Sequence, residues 1–174
     1  MSRVTACALI VCVVVCAGAI PAAKQGVTYD LTGWRVLEMT SGRVVASGGS
    51  PTLATDDGVI RLSGEKLTLA LETTKSGRSV ARAQAVGRVR LFLRQGPRQK
   101  VETTSDRAAL DPARKWAELA GNVKVTTTDP ARFTQPMVLT GDVVTVYLED
   151  QRIVAKSASG RSRLSASPLP GEKP

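Results

Sequence analysis

Hydrophobic and polar residues alternate with a period of two along several segments of the chain. In GRVRLFLR, residues 87–94, the aliphatic Val89, Leu91 and Leu93 alternate with three arginines and a phenylalanine. Successive side chains of a β-strand point to opposite faces of the sheet. The alternation therefore predicts strands with one aliphatic face and one polar face. Three further segments place these residues on the same aliphatic face: Leu67, Leu69, Leu71, Val123, Val125, Val144, Val146 and Leu148.

These strand patterns recur along the chain. LSGEKLTL (residues 62–69) and LTGDVVTV (residues 139–146) share the order Leu, hydroxyl, Gly, acid, any residue, apolar, Thr, apolar. TSDRAAL (residues 104–110) is a weaker relative of both. Each of the three segments is followed by a turn and a return strand, and Gly87, Gly121 and Gly160 lie at matching places in the return strands. One such unit cannot bury its own apolar face, so the repeat predicts strand pairs that stack on their neighbours.

One segment, SDRAALDPARKWAELAG (residues 105–121), is rich in helix-forming residues and competes with the strand interpretation. Asp111 and Pro112 lie in its middle, and a proline in a helix interior costs about 3 kcal/mol. The repeat places a strand, a turn and a second strand at the same position. We therefore predict two strands here, with DPARK as the turn.

The first residues have the pattern of a secretory signal peptide: one positive charge, an apolar run and then small residues. We assign residues 1–23 to this signal, with cleavage after Ala19 or near Ala23. Retention of the same run as a membrane anchor is the alternative, whereas a lipid acceptor at Cys16 is disfavoured by the bulky Val15. Residues 24–164 then form one β domain, and the proline-rich residues 165–174 a disordered tail.

Composition excludes most catalytic chemistry. The chain has no histidine, and its three cysteines lie within the first sixteen residues. A mature chain would therefore lack a Ser-His-Asp triad, a zinc site of Cys or His, and disulfides. The acidic pairs at residues 56–57 and 149–150 are predicted to form turns rather than metal sites. We expect no enzyme activity, no metal and no cofactor.

The formal net charge of +9 leaves two interpretations open. A basic surface on an exported protein suits anionic lipid head groups, acidic glycans or a membrane surface. The same arginines and lysines also keep a β-rich protein soluble. Nucleic acid is not expected as a partner, because only 3% of the residues are aromatic and could stack on bases.

Two segments carry a resemblance to a known family. ELAGNVKVTTTD (residues 118–129) and FTQPMVLTGDVVTVYLEDQRIVA (residues 133–155) resemble the OstA-like, LptA-type family of periplasmic lipopolysaccharide-transport proteins. The matching residues include Gly121, Asn122, Asp142 and Tyr147, whereas Gly141 replaces the usual alanine. The clear resemblance covers residues 81–159 and extends weakly toward residue 43.

The resemblance implies an all-β fold, a β-jellyroll or β-taco of stacked short antiparallel strands that form a groove. In that family lipid acyl chains travel inside the groove toward the outer membrane, and subunits join by pairing of edge strands. For this chain it implies a periplasmic carrier of lipopolysaccharide or a similar lipid. The implied partners are other OstA-like transport proteins and further copies of the chain joined head to tail. The edges are expected near Arg35–Ser47 and Ile153–Leu164, and the eleven aliphatic residues named above are the candidate groove lining.

Other interpretations of the same pattern stay open. The aliphatic residues can pack only against each other in a closed core, as in a structural β-solenoid that serves as an interaction module. If the N-terminal run is retained, the chain becomes an inner-membrane-anchored sister component of the same transport chain.

Overall fold

The computed structural model describes residues 28–74, 77–95, 98–131, 133–149, 152–157 and 163–168. All regular structure in these residues is β-strand, as predicted. The strands are β1 (Tyr29–Met39), β2 (Arg43–Thr55), β3 (Ile60–Ser63), β4 (Lys66–Thr74), β5 (Gly77–Gln95), β6 (Gln99–Asp111), β7 (Trp116–Thr128), β8 (Phe133–Tyr147), β9 (Ile153–Lys156) and β10 (Arg163–Pro168).

The ten strands form one antiparallel sheet in the order β1-β2-β3-β5-β6-β7-β8-β10. β3 and β4 both lie between β2 and β5, where they pair with different halves of those two strands. β9 and β10 likewise pair with the two halves of β8. The sheet is therefore a stack of strand levels, which are called rungs below. Two of these rungs consist of two short strands in place of one long strand.

Each long rung is interrupted near its middle. In β5 the residues Gly87 and Arg88 lie opposite the single residue Asp106, and both have positive φ angles, 78° and 45°. In β7 the pair Gly121 and Asn122 forms the same bulge, with φ angles of 78° and 49°. Such bulges bend a strand and increase its twist. The recurring glycines of the sequence are thus the positions where the return strands bend.

Acidic side chains of neighbouring strands hold these bulges. The Arg88 Nε atom lies 2.7 Å from the Glu65 Oε1 atom, and the Asn122 Nδ2 atom donates to the Asp106 Oδ2 atom at 2.9 Å. A Cβ atom at position 87 would collide with the Glu65 carboxylate, and one at position 121 with the Asp106 carboxylate. Glycine is therefore required at both positions by space as well as by the left-handed backbone.

The interruptions of neighbouring rungs lie opposite one another, and this aligned row of breaks is called the crease here. The crease divides the sheet into two halves, named wall A and wall B. Wall A comprises residues 29–32, 52–55, 60–63, 89–95, 99–105, 123–128, 133–141 and 163–168. Wall B comprises residues 34–39, 43–47, 66–74, 77–86, 107–111, 116–120, 143–147 and 153–156.

The sheet is folded on itself along the crease. Both walls bury one aliphatic face, and these faces join in a single hydrophobic cluster. The described residues contain no helix that could cover either face. Each wall is therefore covered by the other, which gives the β-jellyroll arrangement expected from the sequence.

Residues 105–121 form two strands and a turn, as predicted, and not the helix that their composition favours. β6 ends at Asp111, a turn follows, and β7 begins at Trp116. The Asp111 side chain accepts a hydrogen bond from the Arg114 backbone N–H at 2.9 Å, which closes the turn. Asp56 and Asp57 also lie in a turn, in agreement with the prediction for that acidic pair. Of the second pair, Glu149 lies in a turn and residue 150 is outside the described residues.

The first two strands differ in three respects from what the sequence pattern suggests. The first strand begins at Tyr29, within a segment that shows little alternation because β1 is an edge strand and only partly buried. Gly48, Gly49, Ser50 and Pro51 have the composition of a turn, but they lie inside β2 where it crosses the crease. The expected N-terminal edge near Arg35–Ser47 is therefore limited to β1, because β2 has partners on both sides.

The C-terminal boundary also differs from the expected one. β10 extends to Pro168 and pairs with β8, so the sheet continues four residues into the segment expected to be a disordered tail. Pairing with β8 supplies backbone hydrogen bonds that the local composition did not indicate. Residues 1–27, which include the expected signal peptide, and residues 169–174 lie outside the described residues.

Candidate groove between the two walls

The structure brings the eleven candidate groove residues together in one interior. Nine of them are at most 5% exposed, and Leu71 and Leu148 are half-buried and pack against the same cluster. Both walls contribute. Wall A carries Val89, Leu91, Leu93, Val123 and Val125, whereas Leu67, Leu69, Leu71, Val144, Val146 and Leu148 lie on or directly beyond wall B.

Several equally buried residues were missed from the sequence. Leu53, Leu62, Val101, Leu110 and Leu119 are each at most 1% exposed. Leu62 belongs to a strand of only four residues, too short for an alternation to stand out. In β6 the inward positions are odd-numbered up to Ser105 and even-numbered from Ala108, because the strand crosses the crease between them. Gly87 and Gly121, in the adjacent strands β5 and β7, were the available signal that the inward positions change from odd to even.

The two walls differ in the side chains they bury. All four buried polar side chains among the described residues lie on wall A: Thr55, Thr103, Ser105 and Thr127. All five buried alanines lie on wall B: Ala46, Ala83, Ala85, Ala108 and Ala117. Wall B therefore carries smaller side chains than wall A at these five buried positions. No charged side chain of the described residues is buried in the interior.

The four hydroxyl groups of wall A are not equally satisfied. The Ser105 Oγ atom donates to the Arg107 carbonyl at 2.9 Å, and the Thr55 hydroxyl donates to Asp57. The Oγ1 atoms of Thr103 and Thr127 are buried without a hydrogen-bond partner among the described residues. Buried hydroxyls are usually paired, because losing water without a replacement partner is unfavourable. These two threonines are therefore exceptions inside an otherwise aliphatic interior.

The turn between β2 and β3 lies at the end of wall A farthest from the crease. The Asp57 carboxylate accepts hydrogen bonds from the Thr55 hydroxyl and from the Val59 backbone N–H at 2.8 Å. These bonds, and the positive charge of Arg94, lower the pKa of Asp57, although partial burial opposes them. Burial and the nearby Asp57 charge raise the pKa of the Tyr29 phenol.

Positive charge lies on the outer surface of the sheet. Arg90, Lys124 and Arg163 occupy one cross-strand row of wall A, and hydroxyl residues separate them on the strands between. Arg90 and Lys124 also border a shallow depression of about 460 Å³ on this face, together with Phe92 and Glu102. Neighbouring strands are about 4.8 Å apart, so cations two strands apart are separated by roughly 10 Å. The basic residues of this row thus lie on the outer surface, whereas the interior contains no charged side chain of the described residues.

The two edges of the sheet expose large hydrophobic side chains. Val36 and Met39 on β1 are 52% and 57% exposed, and Leu164 on β10 is 62% exposed. β1 has one strand partner, β2, and β9 and β10 have one strand partner, β8, among the described residues. The sheet is consequently open at both ends of the stack. This open arrangement, with walls joined along a crease, distinguishes the fold from a closed barrel.

Within the described residues, no helix has the length and apolar character needed to cross a membrane. The same part of the chain contains no cluster of three or more His, Cys, Asp or Glu side chains arranged to hold a metal ion.

Comparison with known proteins identifies the architecture. No family model matches the chain, and neither does any curated protein sequence. Among solved structures, the chain is similar to LptH of Pseudomonas aeruginosa, described as the LptA homologous periplasmic component of the lipopolysaccharide transport device. The two structures agree with a TM-score of 0.63 at 17% sequence identity, over 82% of this chain and 96% of LptH. The chain has the LptA-type, OstA-like fold.

The LptA-type fold explains why so few residues carried the resemblance. At 17% identity most positions differ from LptH, while the overall fold agrees. Such a stack needs alternation along each strand and a bend at the crease, and many sequences meet both needs. Gly121 and Asn122, which matched the family pattern, form one of those bends.

Proposed function

We propose that this protein is a periplasmic carrier that holds acyl chains of lipopolysaccharide, or of a similar lipid, between wall A and wall B and passes them toward the outer membrane. The observation that carries the proposal is the pairing of two aliphatic walls in an open, LptA-type sheet whose interior buries no charge. An acyl chain needs an apolar, uncharged surface of this kind and no catalytic group. The role is therefore non-enzymatic.

The interior supplies a sufficient driving force. Burying a methylene group contributes about 0.8 kcal/mol, so a chain of roughly a dozen carbons would gain on the order of 10 kcal/mol before losses. In the structure, wall A and wall B bury each other's side chains, so a bound chain has to replace part of that contact. The walls separate by bending at the crease. Exchanging wall-to-wall contact for wall-to-lipid contact keeps the net affinity moderate, which suits a carrier that must release its cargo.

The open edges of the sheet would connect the groove to a neighbouring protein that receives the lipid. We propose that β1, and β9 with β10, pair with edge strands of other OstA-like proteins or of further copies of this chain. Three exposed hydrophobic side chains on these edges support this assignment, since exposed edge strands otherwise promote aggregation. Edge pairing would extend the two walls into the neighbour and keep the groove continuous from one protein to the next.

Photo-crosslinking in cells with two membranes tests the carrier role. A photoreactive residue replaces Val89, Val125 or Val146, and matched variants carry it at the outward-facing Arg90 or Lys124. We expect lipid adducts from the three inward positions and none from the outward ones. Equal labelling of both sets, or labelling of neither, would favour a closed core.

Edge pairing is tested separately with the same photoreactive residue at Val36 or Leu164. We expect protein adducts from these edge positions. The control position is Val86, which is 50% exposed but lies in β5, in the middle of the sheet. Adducts from Val86 at the same yield would show nonspecific contact through exposed apolar side chains.

A further inference from the structure

Thr103 and Thr127 form a pair of unpartnered hydroxyls on the inner surface of wall A. They are 2% and 4% exposed, and neither Oγ1 atom has a hydrogen-bond partner among the described residues. Thr103 lies opposite Val125, and Thr127 lies opposite Val101, so the two threonines occupy diagonal positions on the adjacent strands β6 and β7. A valine at either site would have the same shape and no polar atom to satisfy.

Their spacing suits one shared ligand group. Diagonal neighbours on adjacent strands are about 7 to 8 Å apart. Two hydrogen bonds of about 2.8 Å, one from each hydroxyl, bridge most of that distance to an oxygen atom between them. A hydroxyl or a carbonyl oxygen of a bound molecule fits this position, because each threonine hydroxyl can donate or accept.

Their depth in the groove indicates which part of a lipid they would contact. Thr127 is the last inward-facing residue before β7 ends at Thr128, far from the crease. Thr103 lies one inward position from Ser105, the residue next to the crease. The pair thus spans the outer and middle levels of wall A, with Thr103 at the level of Val125, and Val123 lies deeper on β7.

We propose that Thr103 and Thr127 bind a hydroxyl group at the head-group end of an acyl chain, on one of the carbons beside the carbonyl that links the chain. This inference rests on the proposed carrier function and defines its substrate more narrowly. The methyl end of the chain lies toward the crease, and the head group remains at the open end of wall A. The two hydroxyls select oxygenated acyl chains over plain alkyl chains.

Competition binding tests this selectivity. The isolated protein is loaded with a fluorescent fatty acid, which is displaced with dodecanoate or with its β-hydroxy derivative. We expect the wild type to prefer the β-hydroxy acid by about tenfold, the effect of two ordinary hydrogen bonds. Replacement of both residues, Thr103→Val with Thr127→Val, should abolish the preference and leave dodecanoate binding intact. Serine at both positions keeps the hydroxyls and should restore it.

The adjacent residues Thr104 and Thr128 give a matched control. Both are exposed on the outer face of the same strands, so Thr104→Val with Thr128→Val should leave the preference unchanged. Thermal unfolding supplies a second measurement. The inner pair of valines should raise the Tm by about 4 °C, because two unsatisfied buried hydroxyls are removed, and the outer pair should not.

The outcomes separate this inference from the function on which it rests. Equal affinity of the wild type for the two acids, or a preference that persists in the inner valine variant, overturns the role of the threonines and leaves the carrier function standing. Failure of the wild type to bind either acid overturns both. Loss of the preference in the inner variant alone, with rescue by serine, supports the assignment.

Discussion

Wall A and wall B are two halves of the same antiparallel sheet, but they bury different side chains. Wall A buries large aliphatic residues together with four hydroxyl side chains, whereas wall B buries leucines and valines together with five alanines. The alanines give wall B less side-chain volume at these positions, and the hydroxyls of wall A lie in an interior that, within the described part of the chain, buries no charged side chain. The difference shows that the two halves of each strand are not interchangeable. Under the proposed function, the hydroxyls of wall A would contact the ligand and the small side chains of wall B would leave room for it.

The largest expected effect tests whether both walls contribute equally to stability. Leu91→Ala on wall A and Leu119→Ala on wall B each remove a side chain that is at most 1% exposed. Each should lower the free energy of unfolding by about 2 to 5 kcal/mol, measured by urea denaturation. Leu164→Ala, at an exposed edge position, is the control and should change it little. A loss confined to one wall would mean that the other is already loosely packed.

The second-largest loss of stability is expected from a substitution at the crease that joins the walls. Gly121→Ala should cost about 1 to 3 kcal/mol, because residue 121 has a φ angle of 78° and the added methyl group meets the Asp106 side chain. Gly42→Ala is the control, since a Cβ atom there contacts nothing within 4 Å. Equal stability of the two variants would show that the bend at Gly121 is not required.

A larger side chain at a buried alanine of wall B tests whether these alanines leave space for a lipid. Ala83→Leu adds volume to a position that is 0% exposed and should cost about 1 to 3 kcal/mol through overpacking. It should also reduce fatty-acid uptake, measured by fluorescence, because the added side chain occupies the space between the walls. Ala70→Leu, on the exposed face of β4, should change neither quantity. Unchanged uptake in Ala83→Leu would place the lipid elsewhere.

The smallest expected effect concerns pH at the end of wall A. The pKa of Asp57 is lower in the folded protein than in the unfolded chain, so its ionised form stabilises the fold. This contribution is complete above the ordinary aspartate pKa of about 3.9 and is lost as pH falls through the lower folded pKa. The Tm difference between wild type and Asp57→Asn should therefore shrink below pH 4. Thr55→Val, which removes the first hydrogen-bond donor, should reduce the same pH dependence.

The sequence predicted the fold where the alternation of side chains was unbroken. Val89, Leu91 and Leu93 occupy one uninterrupted half-strand, so counting by two placed them on the correct face. The prediction of two strands in residues 105–121 also held, because a proline could not lie inside a helix.

Features that depend on tertiary structure could not be predicted in this way. Gly48 and Gly49 have the composition of a turn, but they lie in a strand because all rungs must bend at the same level. The three consecutive threonines 126–128 are chemically identical, and only their register in β7 buries Thr127 and exposes Thr128. The candidate site was therefore predictable as an aliphatic face, whereas its hydroxyl groups were not.

The rung made of β3 and β4 has a mechanical consequence. Gly64 and Glu65 separate these two short strands, and each strand pairs with one half of β2 and one half of β5. At this level no continuous strand transmits a displacement from one wall to the other. The first two strands are thus attached to the remaining stack through two short strands joined by Gly64 and Glu65. The Gly64 N–H donates to the Pro51 carbonyl, and the Glu65 N–H donates to the carbonyls of Val86 and Gly87. Under the proposed carrier function, a displacement at this level would pass from one wall to the other only through Gly64 and Glu65.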